Sequence, residues 1–398
     1  MMQDEVRGLA FSAMRADDIA MPPPDSIPLV FTGNGAEYFR VWAVNMSLTI
    51  LTLGLYGPWA KVRRLRYFYR HTQLDGTSFD YLAQPGVILR GWCIALALFA
   101  GYSFGSEYST YAGAILSIAM CLVMPYLLWR SNQFKAKCAR YRGLTFHFSG
   151  SVARAYFAYF PLVAVIFGFP LLTILYEERL SEIQFLWIGA LFALALPFLH
   201  GVSRNYVQAH LWYGSEKAQY GAGAKQTTVI WFKGLLAIFA ISLAAIFVSA
   251  IGGAIVFFIR WIFLTNPGAI ESKALAEFQL LASSLLLGWL AYQSLGTYYA
   301  TQFQNVIWSC TRFGDLKIQS DMSFWTLYKL KCKNTFLVIL TLGLYRPFAA
   351  INVAKYRLSC IRVAGWDQLD AFAVGPKTSL RGALGDSAAG TFEMDLAL

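Results

Sequence analysis

Thr49-Ile50-Leu51-Thr52-Leu53-Gly54-Leu55-Tyr56-Gly57-Pro58-Trp59-Ala60-Lys61-Val62-Arg63-Arg64 is the stretch whose reading decides the fold. An apolar run breaks at two glycines and a proline, then turns into a basic helix. The same words return as Ile339-Leu340-Thr341-Leu342-Gly343-Leu344-Tyr345, followed by Arg346 and Pro347. A straight crossing takes about 20 apolar residues, and both apolar stretches, 41–60 and 334–350, are short and interrupted. Gly54 with Pro58, and Gly343 with Pro347, place the break at the same point. Both stretches read as re-entrant or interfacial hairpins that enter and leave on one side. Broken backbone is tolerated at membrane depth only where protein or a wet cavity surrounds it. The alternative is that both cross, which gives eight full spans with both tails outside.

Between the two copies lie longer apolar segments, near 87–105, 111–129, 155–176, 184–202, 234–259 and 278–299. Residues 229–264 form one run long enough to need strong tilt or a break at Gly252-Gly253. With 57% hydrophobic and 14% charged residues among 398, and a mean hydropathy of +0.48, the chain belongs in a bilayer. Soluble domains carry about 25% charged residues. The six cysteines form no C-x-x-C pair, which argues against a disulfide framework or a zinc site. Residues 1–20 lack a basic start followed by an apolar core, so no cleavable signal peptide is expected.

Charge sets the orientation. The segments 61–90, 130–154, 203–233, 300–333 and 346–398 hold most of the 33 Lys and Arg residues, while the links at 177–183 and 260–277 are acidic. The positive-inside rule puts the five basic segments in the cytoplasm, with both tails. The net charge of +11 is thereby assigned to loops and anionic lipid headgroups, and nucleic acid is not an expected partner.

Each basic segment ends on a glycine in a similar phrase: Gly76, Gly143, Gly214, Gly314 and Gly365. The repeating unit reads as a membrane segment, a basic amphipathic helix, a glycine C-cap and a short extended piece. Phe79-Asp80-Tyr81 and Phe146-His147-Phe148 alternate as short strands do. The chain divides into a disordered tail at 1–30, a membrane domain of these units at 31–370, and a second disordered tail at 371–398. The fold class is an all-α polytopic membrane protein: about six full spans, two terminal broken helices, and internal pseudo-repeats.

The run Phe31-x-Gly33-x-Gly35-x-Glu37-Tyr38-Phe39, Trp42, Asn45, Thr52-Leu53-Gly54-Leu55-Tyr56, Trp59-Ala60-Lys61-Val62-Arg63-Arg64, Arg66-Tyr67-Phe68-Tyr69, Leu74-Asp75-Gly76 and Phe79-x-Tyr81 resembles the YjgN family. The resemblance covers about 30 to 370. It implies a bacterial inner-membrane location and brings no activity and no catalytic residues.

No Walker sequence, G-x-S-x-G or H-E-x-x-H occurs, so catalytic, cofactor and metal roles are assigned to no residue and an enzyme is not expected. Asn45 and Asn334 sit in register in the two broken stretches, where an amide must find a partner. His200 and Arg204 lie one helical turn apart near the inner end of a span. Arg63, Arg64, Arg66 and Arg140 belong to basic segments interleaved with aromatics, suited to anionic headgroups or an anionic solute. The first functional expectation is a transporter or channel-like protein for a small or amphiphilic anionic solute. The alternative is a non-transporting scaffold that organises anionic lipids. The sequence assigns no oligomeric state.

Overall fold

The computed structural model describes residues 26–176, 179, 181–263 and 269–365. One order of elements recurs five times, strand, helix, helix, strand, and tight turns join the consecutive units. The first unit holds β1 (Ile27–Pro28) and β2 (Val30–Phe31), α1 (Gly35–Leu51), α2 (Gly57–Arg70) and β3 (Thr72–Leu74). The second holds β4 (Thr77–Ser78) and β5 (Asp80–Tyr81), α3 (Pro85–Tyr108), α4 (Thr110–Cys138) and β6 (Ala139–Tyr141). The third holds β7 (Leu144–Phe148), α5 (Val152–Tyr176), α6 (Glu182–Ala209) and β8 (Leu211–Tyr213). The fourth holds β9 (Glu216–Tyr220), α7 (Ala224–Phe263), α8 (Ala269–Ser309) and β10 (Thr311–Phe313). The fifth holds β11 (Leu316–Ser320), α9 (Phe324–Leu340), α10 (Arg346–Ser359) and β12 (Ile361–Ala364).

The strands pair antiparallel in chain order from β2 with β3 through β11 with β12, and β12 then returns to β1. The halves β1 and β2 are separated only by Leu29, and β4 and β5 only by Phe79. The pairing therefore closes on itself as a small barrel, which leaves no open sheet edge. Ile27 faces Val363 and Pro28 faces Arg362 at the closing seam, where the Leu29 N–H donates to the Ile361 carbonyl at 3.0 Å. β1 and β2 occupy the last residues of the stretch set aside as the N-terminal tail. Residues 1–25 and the tail at 371–398 lie outside the described residues.

Gly76, Gly143, Gly214 and Gly314 sit in hairpin turns and Gly365 directly follows β12, so none of the five caps a helix. The helices give way three or more residues earlier, at Arg70, Cys138, Ala209, Ser309 and Ser359. The residues that follow, such as Leu211-Trp212-Tyr213 and Thr311-Arg312-Phe313, are β-branched, bulky or aromatic and suit a strand. Asp75-Gly76 (φ 48° and 67°) and Arg142-Gly143 (φ 44° and 79°) are two-residue turns with both central residues left-handed, the type I′ hairpin.

Side chains fill the barrel. Tyr141, Tyr213, Phe313 and Val363 from the short strands meet Leu29, Phe146, Ala218 and Ile318 from the long ones in one apolar cluster. Phe79 stacks on Tyr141 at 4.5 Å, and Phe146 lies 4.8 Å from Tyr213. The Tyr141 hydroxyl donates to the Leu74 carbonyl at 2.8 Å, which satisfies its polar tip inside the core.

Each helix packs chiefly on its neighbours in the chain, and α10 returns to α1, so the helices form a ring on the barrel. Phe39 and Phe348 meet at 5.9 Å where that ring closes. Each of the six expected spans falls within one helix, α3 through α8. Five described segments are long and apolar enough to cross: Pro85–Gly105, Tyr111–Cys138, Val152–Phe169, Glu182–Ala209 and Lys225–Ala244. α7 runs unbroken through Gly252-Gly253. This is a helical polytopic membrane protein.

The terminal stretches turn back. α1 leaves β2 and α2 returns to β3, which pairs with β2, so the two helices begin and end at the same end of the molecule. α9 and α10 do the same between β11 and β12. Their 17 and 14 residues correspond to about 25 Å and 21 Å of helix at 1.5 Å per residue. That is less than the roughly 30 Å of hydrocarbon.

Candidate functional site

The two terminal hairpins are built alike to the atom. Leu53 (φ 49°) and Gly54 (φ 93°) reverse the first, and Leu342 (φ 50°) and Gly343 (φ 96°) the second. The Gly54 N–H reaches back to the Thr49 carbonyl at 2.8 Å, and that of Gly343 to Val338 at 2.7 Å, closing the last helical turn. Thr52 Oγ1 donates to the Leu48 carbonyl and accepts from the Tyr56 N–H; Thr341 does the same with Leu337 and Tyr345. Pro58 and Pro347 then start the returning helices. At the tips Leu53 is 94% and Leu342 95% exposed.

Asn45 and Asn334 are buried, and each braces its own hairpin. Asn45 Nδ2 makes a long contact of 3.5 Å to the Ala60 carbonyl, and Asn334 Nδ2 one of 3.4 Å to Ala349. Both Oδ1 atoms are buried and accept from no donor among the described residues. The structure does not pair the two amides with each other.

His200 and Arg204 do meet. Arg204 Nε donates to His200 Nε2 at 3.2 Å, and Trp231 Nε1 of α7 lies 3.2 Å from His200 Nδ1. A neutral imidazole has one bare nitrogen, so it accepts from one of these donors at a time. Phe303 packs on the same ring at 5.5 Å. The pair is thus built into the α6–α7–α8 contact.

The remaining candidates lie apart from one another. Arg63 is exposed, with its guanidinium 5.6 Å from the Tyr56 ring, and Arg64 is exposed beside it. Arg66 turns to the Ala83 carbonyl at a long 3.5 Å, with its Nε buried and unpartnered. Arg140 is on β6, where its side chain pairs with Asp80 at 2.8 Å. Exposed cations recur on the helix ends near the barrel in other units, among them Lys135, Arg154, Lys225, Lys329 and Lys355. They form a basic belt around the ring.

One group shows in no single motif. His71, Cys138, His210, Cys310 and Cys360 occupy the same junction, helix end to short strand, in the five units. They are spread around the barrel, and among the described residues no three His, Cys, Asp or Glu side chains converge. Burial pushes the Cys310 and Cys360 thiols up. The shared task is backbone pairing. Their carbonyls accept from the N–H groups of Thr32, Leu82, Ser149, Gly221 and Asp321, which follow the long strands.

A model of a family described as a bacterial protein of unknown function (DUF898) matches residues 26–391, from β1 beyond the last described strand. The chain belongs to this family, the YjgN family. It is 28% identical over 183 residues to the inner membrane protein YjgN of Salmonella typhimurium (strain LT2), covering 44% of this chain and 46% of that one. It is 27% identical over 128 residues to the protein of that name from Escherichia coli (strain K12), 31% of each chain. The matched region spans less than half the length of these relatives. No solved structure matches. With relatives in the inner membrane and several membrane-crossing helices, this YjgN-family chain is an integral inner-membrane protein.

Proposed function

We propose that the protein binds and orders anionic amphiphiles of the inner membrane, as a lipid-organising protein, with its barrel and both tails in the cytoplasm. One observation carries this reading. Four consecutive members of the helix ring, α9, α10, α1 and α2, form short hairpins whose Leu tips have no protein cover. Their neighbours α3 and α8 are 24 and 41 residues long. The wall of the ring is therefore lower over one sector, where lipid can approach the basic belt from the side. Exposed Lys and Arg at headgroup level attract anionic lipid by about 1 kcal/mol each. The apolar barrel core leaves no wet route along the axis, which favours lipid organisation over an axial pore.

A transport reading rests on a separate observation. Lys331 Nζ donates to the Gly296 carbonyl at 3.3 Å and Arg357 Nε to Gln304 Oε1 at 2.7 Å, both neutral acceptors. Two cations among the helices that are held by neutral acceptors suit a passing anion.

Native mass spectrometry of the protein released from mild detergent separates the two. Lipid organisation requires retained phosphatidylglycerol or cardiolipin in preference to phosphatidylethanolamine, weakened severalfold by Arg63→Gln with Arg64→Gln. Absence of anionic lipid, with anion flux into reconstituted vesicles, would favour transport.

A further inference from the structure

We propose a second binding site, for the phosphate group of a small soluble molecule, on the outer flank of the barrel between the first and second units. There Arg70 from the end of α2 and Arg140 and Arg142 around the β6 turn line an open cleft of about 480 Å³ with Thr77, Ser78 and Asp80. That volume lies within the range of small-molecule sites.

The arginines are held in place. Asp80 accepts from Arg70 Nε at 3.1 Å through one oxygen and from Arg140 through the other at 2.8 Å. Asp75, across the neighbouring turn, holds Arg142 at 2.5 Å. Arg70 and Arg140 keep about half of their side chains exposed, and a guanidinium has five N–H donors, so their ion pairs with Asp80 leave others for a ligand. Positioned forks that take two oxygens at once are the usual means of gripping a phosphate. The two carboxylates leave one net positive charge, so the site selects by geometry more than by field. The Ser78 hydroxyl, on the strand face that Asp80 occupies, adds a neutral donor.

The recurring units supply an internal control. Asp80 faces Arg140 in the strand register, and the matching pairs at three other seams are His147 with Trp212, Gln219 with Arg312, and Gln319 with Arg362. The position of Arg70 is taken by Lys137, Ala209 and Ser309 at those seams, and that of Arg142 by Gly214, Gly314 and Ala364. Each of them thus keeps at most one cation from these positions. The barrel closes without the three-arginine cluster, so the fold does not demand it. Arg142 lies four strand residues past the end of α4, roughly 13 Å at 3.3 Å per residue. A soluble ligand therefore reaches the cleft more readily than a membrane headgroup does.

This site is independent of the lipid reading, and either can fail alone. The test is titration of the full-length protein in detergent with inorganic phosphate, followed by calorimetry. Saturable binding is expected, weakened about tenfold to a hundredfold in Arg140→Gln and Arg142→Asn, the scale of a lost charged hydrogen bond. Arg312→Gln, on another seam, should bind as the parent does. Asn is favoured in this turn, so Arg142→Asn keeps the fold, and an unchanged thermal transition checks it. No phosphate binding, or unchanged binding in a folded Arg142→Asn variant, would overturn the site. Displacement of phosphate by phosphatidylglycerol vesicles but not by phosphatidylcholine vesicles would overturn the soluble source.

Discussion

Gly54 and Gly343 carry backbone angles that side-chain-bearing residues seldom adopt, and an added Cβ would meet nothing within 4 Å at either. An alanine there costs only backbone strain, about 1–2 kcal/mol. Gly54→Ala is expected to lower the unfolding temperature in detergent by a few degrees, and Gly343→Ala by the same amount. A large difference between them would deny that the two tips are equivalent. Asp80 gives a pH signature. Burial pushes its carboxyl up, but hydrogen bonds from Arg70, the Tyr81 N–H and Arg140 more than offset this and hold it below the usual carboxylate range. Its folded-state pKa is depressed, so its contribution to stability is full above the unfolded value of about 3.9 and is lost as pH falls through the lower folded value. The thermal transition of the parent should fall more steeply than that of Asp80→Asn below about pH 4. Parallel curves would show that the ion pairs hold nothing. Asp75-Gly76 is an I′ signal that the reading of Gly76 as a helix cap passed over. The partner of Asp80 was not, because Arg140 lies sixty residues away and strand register alone brings them together.

At the scale of the element, the break in both copies of the ILTLGLY phrase was legible from its glycine, proline and short length, while eight full spans stayed open as the alternative. The helix-to-strand switch was not. A helix ending in Lys or Arg and followed by Gly looks like a capped helix, whereas strand pairing around the barrel outweighs helix propensity over those three or four residues. Asn45 and Asn334 are buried, and their partners belong to the same hairpin, because the chain turns back at once. Hairpins of this length should leave their tips among acyl chains. A spin label at Leu53→Cys in vesicles should collide more with oxygen than with a water-soluble nickel complex. The reverse would place the tip in water.

For the whole molecule, the six long segments gave the membrane class and the basic segments gave a common side. Closure was hidden, because it depends on β1 finding β12 across nearly the entire chain. A staple at that seam tests it. Pro28 and Arg362 are opposed, exposed, and in a non-hydrogen-bonded pair, where Cα atoms lie about 4.5 Å apart. That distance suits a disulfide. In a cysteine-free background, Pro28→Cys with Arg362→Cys should oxidise readily and raise the unfolding temperature by constraining the unfolded chain. Failure to oxidise would leave the barrel open.

The central claim is that every excursion of the chain starts and ends at one barrel, on one side of the membrane. Cysteine accessibility tests it directly, with single reporters at Ser26, Asp75 and Ser109 in a cysteine-free background. Ser26→Cys and Asp75→Cys are expected to label only from the cytoplasm, and Ser109→Cys only from outside. Labelling of Ser26→Cys from outside would mean that the stretch from α1 to α2 crosses the bilayer once instead of turning back, and that β1 and β2 cannot close the barrel.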